Sequence, residues 1–514
     1  MNGWRSAPRA RKLVVRPQGG PAPSYEGKRR LPTGRWLATC LLGTTTFFPL
    51  AALAQSTWVA VGGTGSFSTA SNWSPATVPL GSSATGKFTD TGAQTVTISA
   101  SYNVGTFEFS STAQAYTFEA TGGNNGLSFL GSGIVNNSAN AQTFKASGVV
   151  LGGTSSGYSF LGSATAGNAI FVLTGGGTVS FGGASSASSA QISVSGKDAG
   201  TNGPSAVSVS GTGTATLGNA TISASGGAAV KIMDKGSGGL ASITLDGTDT
   251  SLQIHQLADD VDGTTIGSLA GASGQVITGD KQLTVGGNNA STSFGGVIRG
   301  GSVVKTGTGT WTLTGTNTSF TVGTTINAGA IAVSSDANLG AANGSLAFGG
   351  GTLRFLSSFN LSSNRAIALN AGGTIDANGF NTTISQAMTG VGGLTKVGGG
   401  TLTLSGANTY GGSTAINAGT LALSGNGNLA NSSGIGLTGL GATFSISAAN
   451  GDRTIGDLSG VAGSAVVLGI RTLSVGTAND TTFAGDISGT GGLTKLGSGT
   501  LTLSGSNAYT GATT

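Results

Sequence analysis

GGLTKVGGGTLTLSGANTYGGSTAINAGTLAL, residues 392–423, is the stretch from which the fold is read. In T-L-T-L-S-G, Leu402 and Leu404 alternate with Thr401 and Thr403. A strand there puts the leucines on one face and the threonines on the other. Glycine then turns the chain, and Leu421 and Leu423 repeat the pattern after a turn at Asn417 and Gly419. The same motif begins at Val303 as VVKTGTGTWTLTGTNTSF and at Leu493 as LTKLGSGTLTLSGSNAY, where Leu501 and Leu503 stand in for Leu402 and Leu404. The shared lysines, Lys305, Lys396 and Lys495, are 91 and 99 residues apart. TVGTTINAGAIAV from Thr321 then answers GGSTAINAGTLAL from Gly411, whereas the third copy stops at YTGATT, inside the motif.

Fainter echoes surround these copies. TTIGSLAG around Ile266 matches RTIGDLSG around Ile455, and STSFGGVIRG around Phe294 matches TTFAGDISG around Phe483. The repeating unit is therefore a block of several strands. No block has enough apolar residues for a core of its own. Coaxial stacking solves this: each rung's leucines cover those of the next, and hydrogen bonds join rungs about 4.8 Å apart. About 20–25 residues per rung would give roughly 18–23 rungs. The fold expected is all-β, a parallel β-solenoid. A lysine that recurs at one motif position points to a structural role at a rung edge, where charge discourages edge-to-edge aggregation.

Composition agrees. Of 514 residues 95 are glycine and only 8% are charged, yet the glycines follow no G-X-Y period, which excludes collagen. Beyond residue 54 no stretch carries an uninterrupted apolar stripe at helical spacing. Residues 55–100 stand apart: Trp58, Trp73, Pro75 and Pro79 gather there. They suit an N-terminal cap over the first rung, with an exposed aromatic platform for carbohydrate as the alternative. A weakly repetitive solenoid is expected over 101–289 and a strongly repetitive one over 290–514.

The first 54 residues read as a signal peptide. Nine basic residues and one acid precede the apolar run WLATCLLGTTTFFPLAALA, and small residues place the cleavage between Ala54 and Gln55. Beyond that cleavage the chain carries 14 basic and 17 acidic residues, so no basic surface for nucleic acid is expected. The one cysteine, Cys40, lies within the signal segment, which leaves the mature chain without a disulfide.

Catalytic chemistry has little to build on. A single histidine, His255, excludes a two-histidine metal site and reads as an ordinary strand residue. G-T-S-S-G at 153–157 fits the letters of a nucleophile elbow without a helix after it. Asp259, Asp260 and Asp262 in ADDVDG form the densest acidic cluster; calcium or glycoside chemistry there is weighed against a solvated turn. No catalytic, cofactor or metal residues are assigned.

The stretch 392–423 closely resembles the autotransporter-associated β-strand repeat, also called the passenger-associated transport repeat. The copies near 301–333 and 491–514 resemble it less fully; Trp311 replaces a leucine in the first. The resemblance implies a right-handed parallel β-helix, exported to the periplasm and carried across the outer membrane by a C-terminal β-barrel, with repeats that assist transport. That barrel is expected but absent from this chain, which reads as a fragment of a longer product. The function expected is a secreted or cell-surface passenger. It would be a monomeric adhesion or interaction scaffold whose ligand lies on a host or neighbouring cell. A polysaccharide-active enzyme and a passive stalk are the alternatives.

Overall fold

In the computed structural model the described residues are 54–514, apart from 149–155, 198–202, 260 and 318. The signal peptide expected over 1–54 lies outside them except for Ala54, whose carbonyl accepts from Thr85 N at 2.9 Å, and Gln55 opens the first strand, Gln55–Trp58.

Short strands of three to six residues alternate buried and exposed positions and stack in parallel. They do so because each inward residue has its counterpart one turn away. Val96 pairs with Phe118, Phe118 with Phe144, Phe144 with Phe171 and Phe171 with Ile192, all on one inner row. This ladder has 9 strands from Thr64–Ser66 to Ser268–Ala270. A bridge from Gly271 to Phe294 joins it to a run of 11 more, ending at Leu501–Leu503. A second ladder passes through Gly157–Phe160, Thr178–Phe181, Ala206–Val209, Ala229–Ile232 and Ser251–Gln253. It continues into the first halves of two long strands, Gln275–Val285 and Val297–Lys305. Their second halves turn a corner through a register shift and start the next stretch of a third ladder, through Gly323–Ile326, Ser345–Phe348, Ile367–Leu369 and Met388–Thr389.

Each turn of the chain thus has three sides: two carry short strands, and the third carries a short strand, a 3-10 turn or, in the column Gly133, Thr165, Ser186, Thr216 and Ser237, single bridges. The parallel β-solenoid anticipated from the repeats is what the chain forms, with its apolar row continuous along the interior. Turn length varies more than the motif suggests: 20 residues from Lys396 to Ile416, but 31 from Gly126 to Gly157.

At the first turn, Trp73–Ser74 lies antiparallel on the outer edge of Gln55–Trp58, the one antiparallel strand pairing among the described ladders. Trp58 and Trp73 are buried and meet edge to face at 5.0 Å. Their indole N–H groups donate to the carbonyls of Ala93 (2.8 Å) and Phe67 (2.9 Å). Both rings are therefore core side chains, and neither offers the exposed platform entertained for carbohydrate.

The next turns are filled by aromatic stacks. Phe118 lies on Phe144 at 4.6 Å with an 8° tilt, Phe144 on Phe171 at 5.4 Å, and Phe129 on Phe160 at 4.8 Å. Phe144→Ala should cost about 3–5 kcal/mol. Because each turn touches only its neighbours, hydrogen exchange in that variant should speed up around residues 117–121 and 170–174 while the turns beyond residue 400 keep their protection. A uniform loss of protection along the whole rod would contradict nearest-neighbour stacking.

Candidate functional site

The repeat itself is the site, and its signature side chains point inward. Leu402 and Leu404 are fully buried, stacked below Leu421 and Leu423 and above Thr382 and Ile384. Leu501 and Leu503, in the last turn of the sequence, are half-buried. The lysines hold the largest departure from the sequence reading. Lys305 and Lys396 are not edge charges: they are 1% and 0% exposed. Lys396 is the last buried residue of the strand Leu394–Val397, just before the G-G-G corner at 398–400, where backbone carbonyls converge. Its Nζ donates to Val397 O (3.1 Å) and Gly398 O (2.7 Å), and across to Ala418 O of the next turn (3.1 Å). Lys305 donates in the same way to Thr306 O and, at 3.0 Å, to Gly307 O; Lys495, more exposed, reaches Leu496 O and Gly497 O. An ammonium has three donors and no acceptor, which suits a site made only of carbonyls.

This cage explains the N-A-G found one turn later. Gly419 has φ +66°, and a methyl on it would lie 2.5 Å from Gly400 O and 3.0 Å from Lys396 Nζ. Gly329 repeats both features in the first copy, at φ +61° and 2.9 Å from Lys305 Nζ. The lysine and the glycine of the motif are two halves of one corner.

A second corner is held by a residue that the sequence reading passed over. Asn408, buried, accepts from Met388 N at 3.0 Å in the turn before and donates to Gly406 O (3.0 Å) and to Asn428 O (3.1 Å) in the turn after. Asn317 accepts from Ile298 N at 2.8 Å and Asn507 from Ile487 N at 3.1 Å. The signal was available: each asparagine falls 12 residues after its lysine. Tyr410 adds a hydroxyl contact to Thr414 at 2.7 Å, repeated by Tyr509 and Thr513. The first copy has Phe320 there, and its Thr324 donates instead to Leu339 O.

The copies do not line up along the rod. The ladder holding Lys305 leads after four strands to Met388–Thr389, while Lys396 lies on the next side, in the ladder of Gly373–Asp376 and Thr414–Ile416. The repeat therefore presents no common outward stripe.

The acid–base candidates are scattered. His255 lies in an exposed turn after Ser251–Gln253, not in a strand. Asp259 and Asp262 are exposed, and Asp260 and residues 153–155 are outside the described residues. Among the described residues no group of three His, Cys, Asp or Glu side chains is placed to hold a metal ion.

Burial pushes the Lys396 ammonium down to about 8, against the pull of the Asp376 carboxylate. An unfolded chain keeps that proton to about 10.5. Between these values the unfolded state binds more protons, so stability rises with pH across the window. The melting temperature should climb from pH 7 towards pH 10, and Lys396→Met should flatten the climb. Above pH 10 the buried phenols of Tyr158 and Tyr410, both raised chiefly by burial, reverse the trend because unfolding lets them ionise. Asn408→Leu should cost about 1–3 kcal/mol by orphaning Met388 N and Asn428 O, measurable by denaturant unfolding.

Comparison with known proteins fits this geometry. The passenger-associated-transport-repeat family matches residues 303–333, 394–423 and 493–514, the same three copies of the motif. A stretch of 81 residues, 15% of the chain, is 47% identical to the Adhesin BmaC autotransporter of Brucella suis biovar 1 (strain 1330). The chain spans only 2% of that relative's length. No solved structure matches. The chain thus carries three stretches that match the passenger-associated transport repeat, and over 81 residues it is similar to an autotransporter adhesin.

Proposed function

We propose that this passenger is a non-enzymatic adhesion scaffold, held out from the cell as a rod and contacting a ligand on a host or neighbouring cell. The observation that carries the reading is the division of labour across each strand. Signature residues point inward, and rows of Thr and Ser face solvent, as along Thr95, Thr117 and Thr143. Such a surface offers many weak, uncharged hydrogen-bonding groups over a long face, which suits multivalent contact. The matched relative is itself named an adhesin. In the whole protein a C-terminal β-barrel would supply the route through the outer membrane. The repeats would assist passage by folding turn upon turn outside the cell. The antiparallel strand and the two tryptophans at the first turn would serve as an end cap, closing an edge otherwise open to aggregation.

Beads coated with the purified chain should bind cultured host or bacterial cells, and free chain should compete. Adherence no greater than that of beads carrying an unrelated solenoid would remove the adhesin reading. Turnover of a glycan panel, lost in Asp259→Asn with Asp262→Asn, would favour an enzyme instead. For transport, the chain fused to an outer-membrane barrel should tolerate Thr403→Lys, whose side chain faces outward. Leu402→Asp should lower surface display several-fold, read by protease accessibility on intact cells.

A further inference from the structure

We infer that the repeat corner is a monovalent-cation cage, and that the lysine of each copy is a tethered occupant of it. Around Lys396 Nζ three backbone carbonyls, from Val397, Gly398 and Ala418, converge at 3.1, 2.7 and 3.1 Å. They come from two successive turns, so the cage is built by stacking and does not exist in a single turn. The nearest carboxylate, Asp376, is engaged by Arg354 Nε at 2.7 Å and by Asn378 N at 3.0 Å, and makes no hydrogen bond to the ammonium. Neutral carbonyls at these distances suit a large, singly charged ion such as ammonium or potassium. Calcium and magnesium hold oxygens at about 2.0–2.6 Å and draw on carboxylates or water. Gly419 keeps the cage open, since a side chain there would enter it. Lys305 and Lys495 each meet the same two carbonyls of their own turn, so that half of the cage recurs with the motif, and at Lys305 Gly329 of the following turn closes in as Gly419 does.

The inference stands apart from the adhesin reading: it concerns which chemical group completes the corner. It separates two roles of the lysine, filling space and supplying positive charge to oxygens. Removing the side chain leaves an empty, oxygen-lined site that a free cation can enter, and binding to the folded state alone raises its stability with cation concentration. Lys396→Ala in the full chain should melt several degrees higher in ammonium or potassium chloride than in choline chloride at equal ionic strength. Wild type should show no such difference. Lys396→Met, which refills the space without charge, should melt below wild type in all three salts and respond to none. A Lys396→Ala melting point that is the same in ammonium, potassium and choline would overturn the cage. So would a Lys396→Met variant as stable as wild type. Should Lys396→Ala fail to fold in every salt, Lys305→Ala, whose corner is also closed by the following turn at Gly329, decides by the same comparison, and a flat response there refutes the proposal.

Discussion

In-register parallel pairing from one turn to the next is the constraint on which the rest of this molecule depends. When Leu402 lies beneath Leu421 and Leu421 beneath Phe444, each hydrogen-bonded step also places an apolar side chain on an apolar side chain. A slip of one residue would turn every leucine to water and every threonine inward. The register therefore has to be defended where the chain leaves a strand. The buried corner groups do this. Lysine ties one corner's carbonyls to the next turn, and asparagine ties three successive turns through both ends of its amide. They act on backbone atoms, so they fix where a strand begins whatever side chains the strand carries.

The fold was legible in the sequence because its two signals are local and repeated. Period-two alternation in T-L-T-L and glycine at the turns specify short strands, and the three aligned copies specify stacking. The lysines were misjudged for a physical reason. A charged residue in a recurring position ordinarily faces water, and nothing in the sequence shows that turn carbonyls converge behind it. The rotation of the second copy was illegible too, since 91 residues do not divide into whole turns when turn length ranges from 19 to 31. Asn408 and Tyr410 could have been found by their fixed distance from the lysine, but polar residues in a Gly- and Ser-rich chain blend into its turns. His255 was placed in a strand because it alternates with apolar neighbours, yet the strand ends two residues earlier.

The interior changes character along its length under this one backbone rule. The early turns are packed with stacked rings, from Phe88 and Phe109 through Phe160 and Phe181. The repeat-bearing turns are packed with leucine, isoleucine and valine and lean on polar corners instead. Arg365 shows how far that extends. Fully buried, it meets both carboxylate oxygens of Asp336 and the carbonyls of Gly344 and Leu339. Breaking such a pair leaves an uncompensated buried charge, so it holds its corner by the cost of its loss more than by its net contribution.

The offset between the first and second copies bears on how such a chain can grow. A segment copied within the gene need not restore any compass bearing, because its defining side chains look toward the axis and the same lysine corner is built on different sides at Lys305 and Lys396. It has only to deliver whole sides and to end at a corner. Recombination between similar stretches can therefore lengthen or shorten the molecule in coarse steps without repacking what was already there, and the length of the solenoid becomes a quantity that inheritance can adjust.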